Sequence, residues 1–330
     1  MNKGSLQLGT AFNLLMRTLP IILVRLGVTI AFWLVALIYL GVTGGVAWLI
    51  GQAISIVGVI LFIVAIAAMV PLYNLAYRYV FFMIKAAHIA VVSELLVRGN
   101  LPDGTNQLSW GKERVTERFG ETNVMFVVDE LVNGVVTAFT RTVYSVASWL
   151  PGDLRSVVRI LNQIIRFAMN YIDEAILARS FYSNHDNVWA NARDGLVLYG
   201  MTWKPILKTA VALMALSYVP FIVVFLVFSA PLGLLLSLIS TTIAGWSLLI
   251  TLLLAWMVKV AVGDAFAMIA IVAVYQRETD GLEPDPQMAA RLESVSSKFV
   301  ELKKKAAENM GMGEKPKDDN LDQPDMEPLA

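Results

Sequence analysis

Few residues of this chain can do chemistry, and most of them lie in or beside apolar sequence. Asp264 sits deep in the apolar run that ends at Tyr275, with Lys259 five residues before it and Trp256 three before that. A carboxylate in such a run is costly in lipid, so Asp264 marks either a proton or cation site or a stretch of helix that has left the bilayer. At about 100° per residue, Lys259 and Asp264 are about 140° apart and are expected not to pair. Trp256, like Trp33, Trp48, Trp203 and Trp246, falls near the end of an apolar run, where indole serves as an interfacial belt or as part of a cage for a quaternary amine. Arg78, Lys85 and His88 share one helical face with Asn74, a face suited to lipid phosphate or to plain interfacial solvation. Arg155, Arg159 and Arg166 form a second basic stripe, at home at anionic headgroups. Asp173 and Glu174 read as ion-pair partners of Arg166 and Arg179 rather than as an acid–base couple.

Other chemistry is excluded by what is missing. There is no cysteine, and His88 and His185 are the only histidines. Thiolate nucleophiles, disulfides, Cys-type zinc sites and multi-histidine metal sites therefore drop out. Gly111-Lys112 lacks the preceding glycine and following hydroxyl residue of a phosphate loop. No cofactor, no metal and no catalytic set is expected, and the chain does not read as an enzyme. With 26 basic residues against 26 acidic ones, nucleic acid is not an expected partner.

The elements that must position these residues are helices in a membrane. Of 330 residues 57% are hydrophobic and 16% charged, and the mean hydropathy is +0.64. The expected fold class is all-α: a polytopic integral membrane protein with four transmembrane helices as two hairpins, long cytoplasmic helical extensions and an amphipathic cytoplasmic helical hairpin. Spans are expected from about Leu19 to Leu40, Val46 to Tyr73, Ile206 to Phe228, and from Leu234 onward. Turns are expected at Gly41–Gly45 and Ser229–Gly233, which carry no charge. Every Lys and Arg lies outside them, which places both termini and the middle in the cytoplasm. The first apolar run is too long for a signal peptide and reads as an anchor. Residues 74–98 and 259–275 are read as extensions of their spans rather than further crossings.

The expected organisation is an interfacial helix over 1–18, a first hairpin with extension over 19–99, a cytoplasmic amphipathic region over 100–205, a second hairpin with extension over 206–276, a helix over 277–310 and a disordered tail over 311–330. Met16-Arg17-Thr18-Leu19-Pro20-Ile21 and Met201-Thr202-Trp203-Lys204-Pro205-Ile206 share Met, Pro and Ile at an offset of 185, the mark of an internal parallel repeat. One amphipathic helix is expected over Thr122–Leu150, with Glu130, Asn133, Thr137 and Arg141 on its polar side, and another after Pro151-Gly152-Asp153. Their apolar faces belong on the bilayer, on the span extensions, on another copy of the chain, or in a helical bundle. Met288, Leu292, Val295, Phe299 and Leu302 form a short seam that docks on its own protein.

The C-terminal half also resembles a known family. The basic amphipathic helix, the Asn170-Tyr171-Ile172 step, Asn191-Ala192-Arg193-Asp194 before a span, and a long last helix with Asp264 leading to Asp280-Gly281 are similar to the end of the choline transporter-like family. The likeness covers under half the chain. It implies passage of choline or a similar small organic cation, with Asp264 at the position of an aspartate in that family's last helix. The expected function is transport of a small cationic solute by a homo-oligomer surrounded by membrane lipids; the alternative is a non-catalytic membrane scaffold that binds lipid or a partner.

Overall fold

The computed structural model describes residues 7–120, 122–144, 169, 171–183 and 186–311. Among these every regular element is helical: α1 (Leu8–Arg17), α2 (Leu19–Ala53), α3 (Ser55–Val97), α4 (Gln107–Phe119), α5 (Thr122–Tyr144), α6 (171–182), α7 (Val188–Leu216), α8 (Val219–Ser237), α9 (Ser247–Thr279), α10 (Pro286–Val295) and α11 (Ser297–Gly311). The described residues include five helical stretches long and apolar enough to cross a membrane: α2, α3, α5, the run from α7 into α8, and α9.

Apolar side chains are handled in two different ways. On α2, on α3 as far as Val80, on α8 and on α9 as far as Trp256 they point outward, with Ile38, Ile56, Leu226 and Leu234 67–71% exposed. An apolar surface of this extent suits hydrocarbon rather than water. Beyond Val80 and Trp256 the same two helices turn inward. Phe82, Ile89 and Val91 of α3 and Ala265, Ile269, Val272 and Tyr275 of α9 are buried, in a bundle built with α1, α4, α5, α7 and α11. At each of these transitions the helix contains a π-turn, Tyr77–Phe81 in α3 and Lys259–Gly263 in α9.

The two expected loops are not loops. Gly41–Gly45 lies inside the unbroken 35-residue α2, and Ser229–Gly233 lies inside α8. Away from water a freed backbone N–H or C=O has no partner, which outweighs the cost of about 1 kcal/mol for a helical glycine. Pro231 forfeits one backbone bond and the helix continues. The chain reverses instead at Ile54, which is extended (φ −138°, ψ 92°), and between Leu238 and Trp246, around one helical turn at Thr241–Ala244. The last apolar helix accordingly starts at Ser247 rather than at Leu234.

Other expectations are also revised. Pro20 opens α2, whereas Pro205 lies within α7, so the matched prolines do not mark equivalent positions. The C-terminal seam is cut in two at Ser296, which is extended and buried; Leu292, Phe299 and Leu302 are nevertheless buried against the rest of the chain. Of the surroundings open to the first amphipathic helix, α5 takes the bundle, with Met125, Val128, Leu131, Val132, Val135 and Phe139 buried. Of its expected partner after Pro151, residues 151–168 and 170 fall outside the described residues, while Ile172 and Asp173 at its end lie buried on α6.

Small residues set the spacing of α2 and α3. Ala36, Ala47, Gly58 and Ala65 are buried where most of their neighbours are exposed, and Tyr39 donates to the Ala65 carbonyl at 3.3 Å. A methyl group at Gly58 would lie 2.5 Å from the Ala47 oxygen and 2.6 Å from Gly51 Cα, both backbone atoms that cannot swing aside. Close backbone approach through small residues is what holds helices together where no hydrophobic force acts between them. Gly58→Ala should therefore destabilise the detergent-solubilised protein by roughly 1–3 kcal/mol, read as a lower thermal midpoint. Gly45→Ala, where an added methyl meets nothing within 4 Å, should not; equal effects from the two would refute close packing at Gly58.

Candidate functional site

The π-turn of α9 brings Lys259 and Asp264 together. Lys259 Nζ lies 2.7 Å from Asp264 Oδ1, although a regular α-helix would hold the two about 140° apart. The i→i+5 hydrogen bonding of a π-turn returns residue i+5 over residue i, which is the physical reason that the expected separation fails. The turn is held against the elbow between α7 and α8, where Ser217 and Tyr218 interrupt the helix. A Cβ on residue 263 would fall 2.0 Å from the Ser217 carbonyl oxygen, so Gly263 is what lets the elbow approach.

Three aromatic residues complete the site. The Lys259 ammonium lies 4.8 Å from the centre of the Tyr218 ring and 5.4 Å from that of Trp256, within the range of cation–π attraction. From α6, Tyr171 donates its phenolic hydrogen to Asp264 Oδ1 at 2.8 Å. Burial, with the Asp264 charge second, pushes the Tyr171 phenol well above its usual range, so it remains a donor. The Lys259 side chain is 6% exposed and that of Asp264 21%. A carboxylate facing two π-faces in partial burial is an arrangement that holds ammonium groups. Of the residues singled out in the sequence, Asp264, Lys259 and Trp256 come together here; Tyr171, Ser217, Tyr218 and Gly263 join them.

A second ionic cluster lies two and three residues further along α6. Glu174 pairs with Lys85 of α3 at 2.8 Å, and Asp173 accepts from Asn133 Nδ2 of α5 at 2.9 Å and from the Glu174 backbone N–H. Asp129 of α5 completes the group, with Oδ1 buried and without a partner among the described residues. Burial, reinforced by the Asp129 charge and opposed by Lys85, pushes the Asp173 carboxyl up to about 7. Burial raises Glu174 too, against Lys85 and Arg25. Among the described residues no three potential ligands converge as a metal site.

The face expected to meet lipid headgroups is divided. Arg78 is exposed and stacks on Phe126 at 4.9 Å. Lys85 turns to Glu174, and His88 is fully buried with Nε2 3.0 Å from Thr18 Oγ1. Arg78 lies within the π-turn Tyr77–Phe81 and the other two lie beyond it, so the phase of the helix changes and a single stripe does not persist. Among the described residues Glu174 pairs with Lys85, from a distant part of the chain, rather than with Arg179. Arg155, Arg159 and Arg166 lie outside the described residues. Asp129 was missed, although one signal was available: it stands one turn from Met125 and from Val132, on the buried side of α5.

A recess of about 360 Å³ is lined by Arg98, Arg114, Glu117, Arg118, Tyr182 and Asp186. Its arginines are engaged within the chain: Arg98 by Glu94, Arg114 by Glu117 and Arg118 by the Ser180 carbonyl.

The Asp173 shift has a sign that can be measured. Its usual value is 3.8 and its folded value about 7, so between those pH values the folded protein keeps a proton that the unfolded chain has lost. Stability should fall as pH rises through this window, by on the order of a few kcal/mol. Asp173→Asn, which keeps an acceptor and is always neutral, should flatten the fall: thermal midpoints of variant and parent should converge near pH 4 and diverge by pH 8, with the variant higher. An unchanged slope would show that Asp173 is not the group responsible.

No family model matches the chain, and neither the curated proteins nor the solved structures provide a match.

Proposed function

We propose that the protein is a multi-pass membrane transporter for a small, choline-like cationic solute, bound at Asp264 between the rings of Tyr218 and Trp256. One observation carries this reading: the same carboxylate and rings already surround an ammonium group, that of Lys259, at 2.7, 4.8 and 5.4 Å. Cation–π attraction adds roughly 0.5–2 kcal/mol per ring to the ion pair as water is excluded. The resemblance to the choline transporter-like family points to the same solute class through the same aspartate.

In this reading α2, α3 to Val80, α8 and α9 from Ser247 through its π-turn are four spans in two hairpins. No charged residue occurs between Arg25 and Arg78, or between Lys208 and Lys259, so the reversals at Ile54 and 238–246 face outward and both termini and the bundle are cytoplasmic. The fifth long apolar helix, α5, is buried along one face in the bundle and stays out of the bilayer. The exposed apolar stripe of Leu8, Phe12 and Met16 on α1 fits the interface at the cytoplasmic side. Four spans make a thin wall for a pathway, and two or more copies in lipid would complete it.

A second reading, a non-catalytic membrane scaffold, draws on the Lys259–Asp264 pair as a structural link that needs no solute. Uptake of labelled choline and ethanolamine into liposomes containing the purified protein separates the two. Saturable uptake of at least one amine is expected, reduced by on the order of tenfold or more in Asp264→Asn, equivalent to about 1.4 kcal/mol or more. Folded, oriented protein that takes up neither amine would end the transport reading and leave the scaffold.

A further inference from the structure

We infer that Lys259 is the resident occupant of the cation site, and that a solute cation binds by displacing its ammonium from Asp264. The inference rests on the cation-binding reading above and concerns how that site is controlled. Its basis is the fit between the ammonium and its surroundings. A lysine ammonium has three N–H donors. Among the described residues it meets one hydrogen-bond acceptor, Asp264 Oδ1; its other close neighbours are the faces of Tyr218 and Trp256. Rings attract positive charge but accept hydrogen bonds poorly, so a primary ammonium here leaves donors under-satisfied where a methylated ammonium has none to satisfy.

Exchange also keeps the electrostatics level. The Asp264 carboxylate is four-fifths covered, and a covered charge without a partner is strongly unfavourable. A lysine tethered five residues away covers it whenever solute is absent, and an arriving cation restores the same balance as the lysine leaves. The affinity for solute is then the difference between two ammonium–cage interactions. Removing the lysine's charge should tighten binding rather than weaken it. A lysine that merely supports the site's structure would give the opposite result.

The test uses the full chain in lipid nanodiscs and tetramethylammonium as probe, with binding read by calorimetry and by tryptophan fluorescence. Lys259→Met keeps the length and apolar body of the side chain and should bind tetramethylammonium at least about tenfold more tightly than the parent. Adding Asp264→Asn should abolish that gain. A second measurement needs no variant: saturating tetramethylammonium should increase acylation of Lys259 in the parent protein, mapped by peptide mass spectrometry. Parent and Lys259→Met binding the probe equally, or the variant binding more weakly, with Lys259 acylation unchanged, would overturn displacement while leaving the cation site intact. No binding to either protein would overturn both the displacement and the site.

Discussion

A helix that runs from lipid into a protein bundle has to change which of its faces are apolar without opening its own backbone. In hydrocarbon each N–H and C=O needs a partner inside the segment, so a break is costly at the very place where re-phasing is needed. A π-turn satisfies both demands, since it inserts a residue, rotates the next stretch of helix and keeps the hydrogen-bond ladder closed. α3 and α9 each contain one, at Tyr77–Phe81 and Lys259–Gly263, and each lies where exposed Leu, Ile and Val give way to buried side chains. The outer surface of the protein, the buried bundle and the ionic sites between them all depend on these two turns.

The consequences at α9 are local and specific. An uninterrupted α-helix would send Lys259 and Asp264 to different faces, leaving one charge without its partner. With the π-turn, both reach the same side, and Gly263 removes the side chain that would keep the α7–α8 elbow away. The elbow then supplies Tyr218, and α6 supplies Tyr171. Helix α6 also joins this cage to the second cluster, since Tyr171 reaches Asp264 while Asp173 and Glu174, two and three positions along, reach α5 and α3. A displacement of α6 would be felt at both.

Much of the architecture is legible in the sequence because it depends on long-range averages. Runs of 20 or more apolar residues, and their separation from Lys and Arg, survive any uncertainty about where a helix bends. The buried face of α5 and the docking of Leu292, Phe299 and Leu302 come from periodicity alone. The turns do not, because glycine and proline signal reversal in water, where a freed backbone group finds a solvent partner; in Gly41–Gly45 and Ser229–Gly233 that partner is missing and the helix persists. Asp264, Lys259 and Trp256 each stand out singly, but their meeting does not, because regular α-helical geometry across Lys259–Gly263 would keep the two charges apart. Nothing in the residue types of Lys-Val-Ala-Val-Gly announces a π-turn, and the Ser217 backbone against which its Gly263 packs comes from a segment some forty residues away.

The two clusters differ in how their charges balance, and this assigns them different behaviour. In the cage one carboxylate faces one ammonium, so the charges of the pair balance. Around Lys85, Glu174 is in ion-pair contact while the charges of Asp129 and Asp173 act at longer range, with Arg25 also acting on Glu174 from α2. Burying all of them ionised would leave net negative charge in a region with little water, and taking up a proton is the least costly relief. Sensitivity to pH near neutrality therefore belongs to the bundle. Both clusters are anchored on α6, the cage through Tyr171 and the bundle cluster through Asp173 and Glu174.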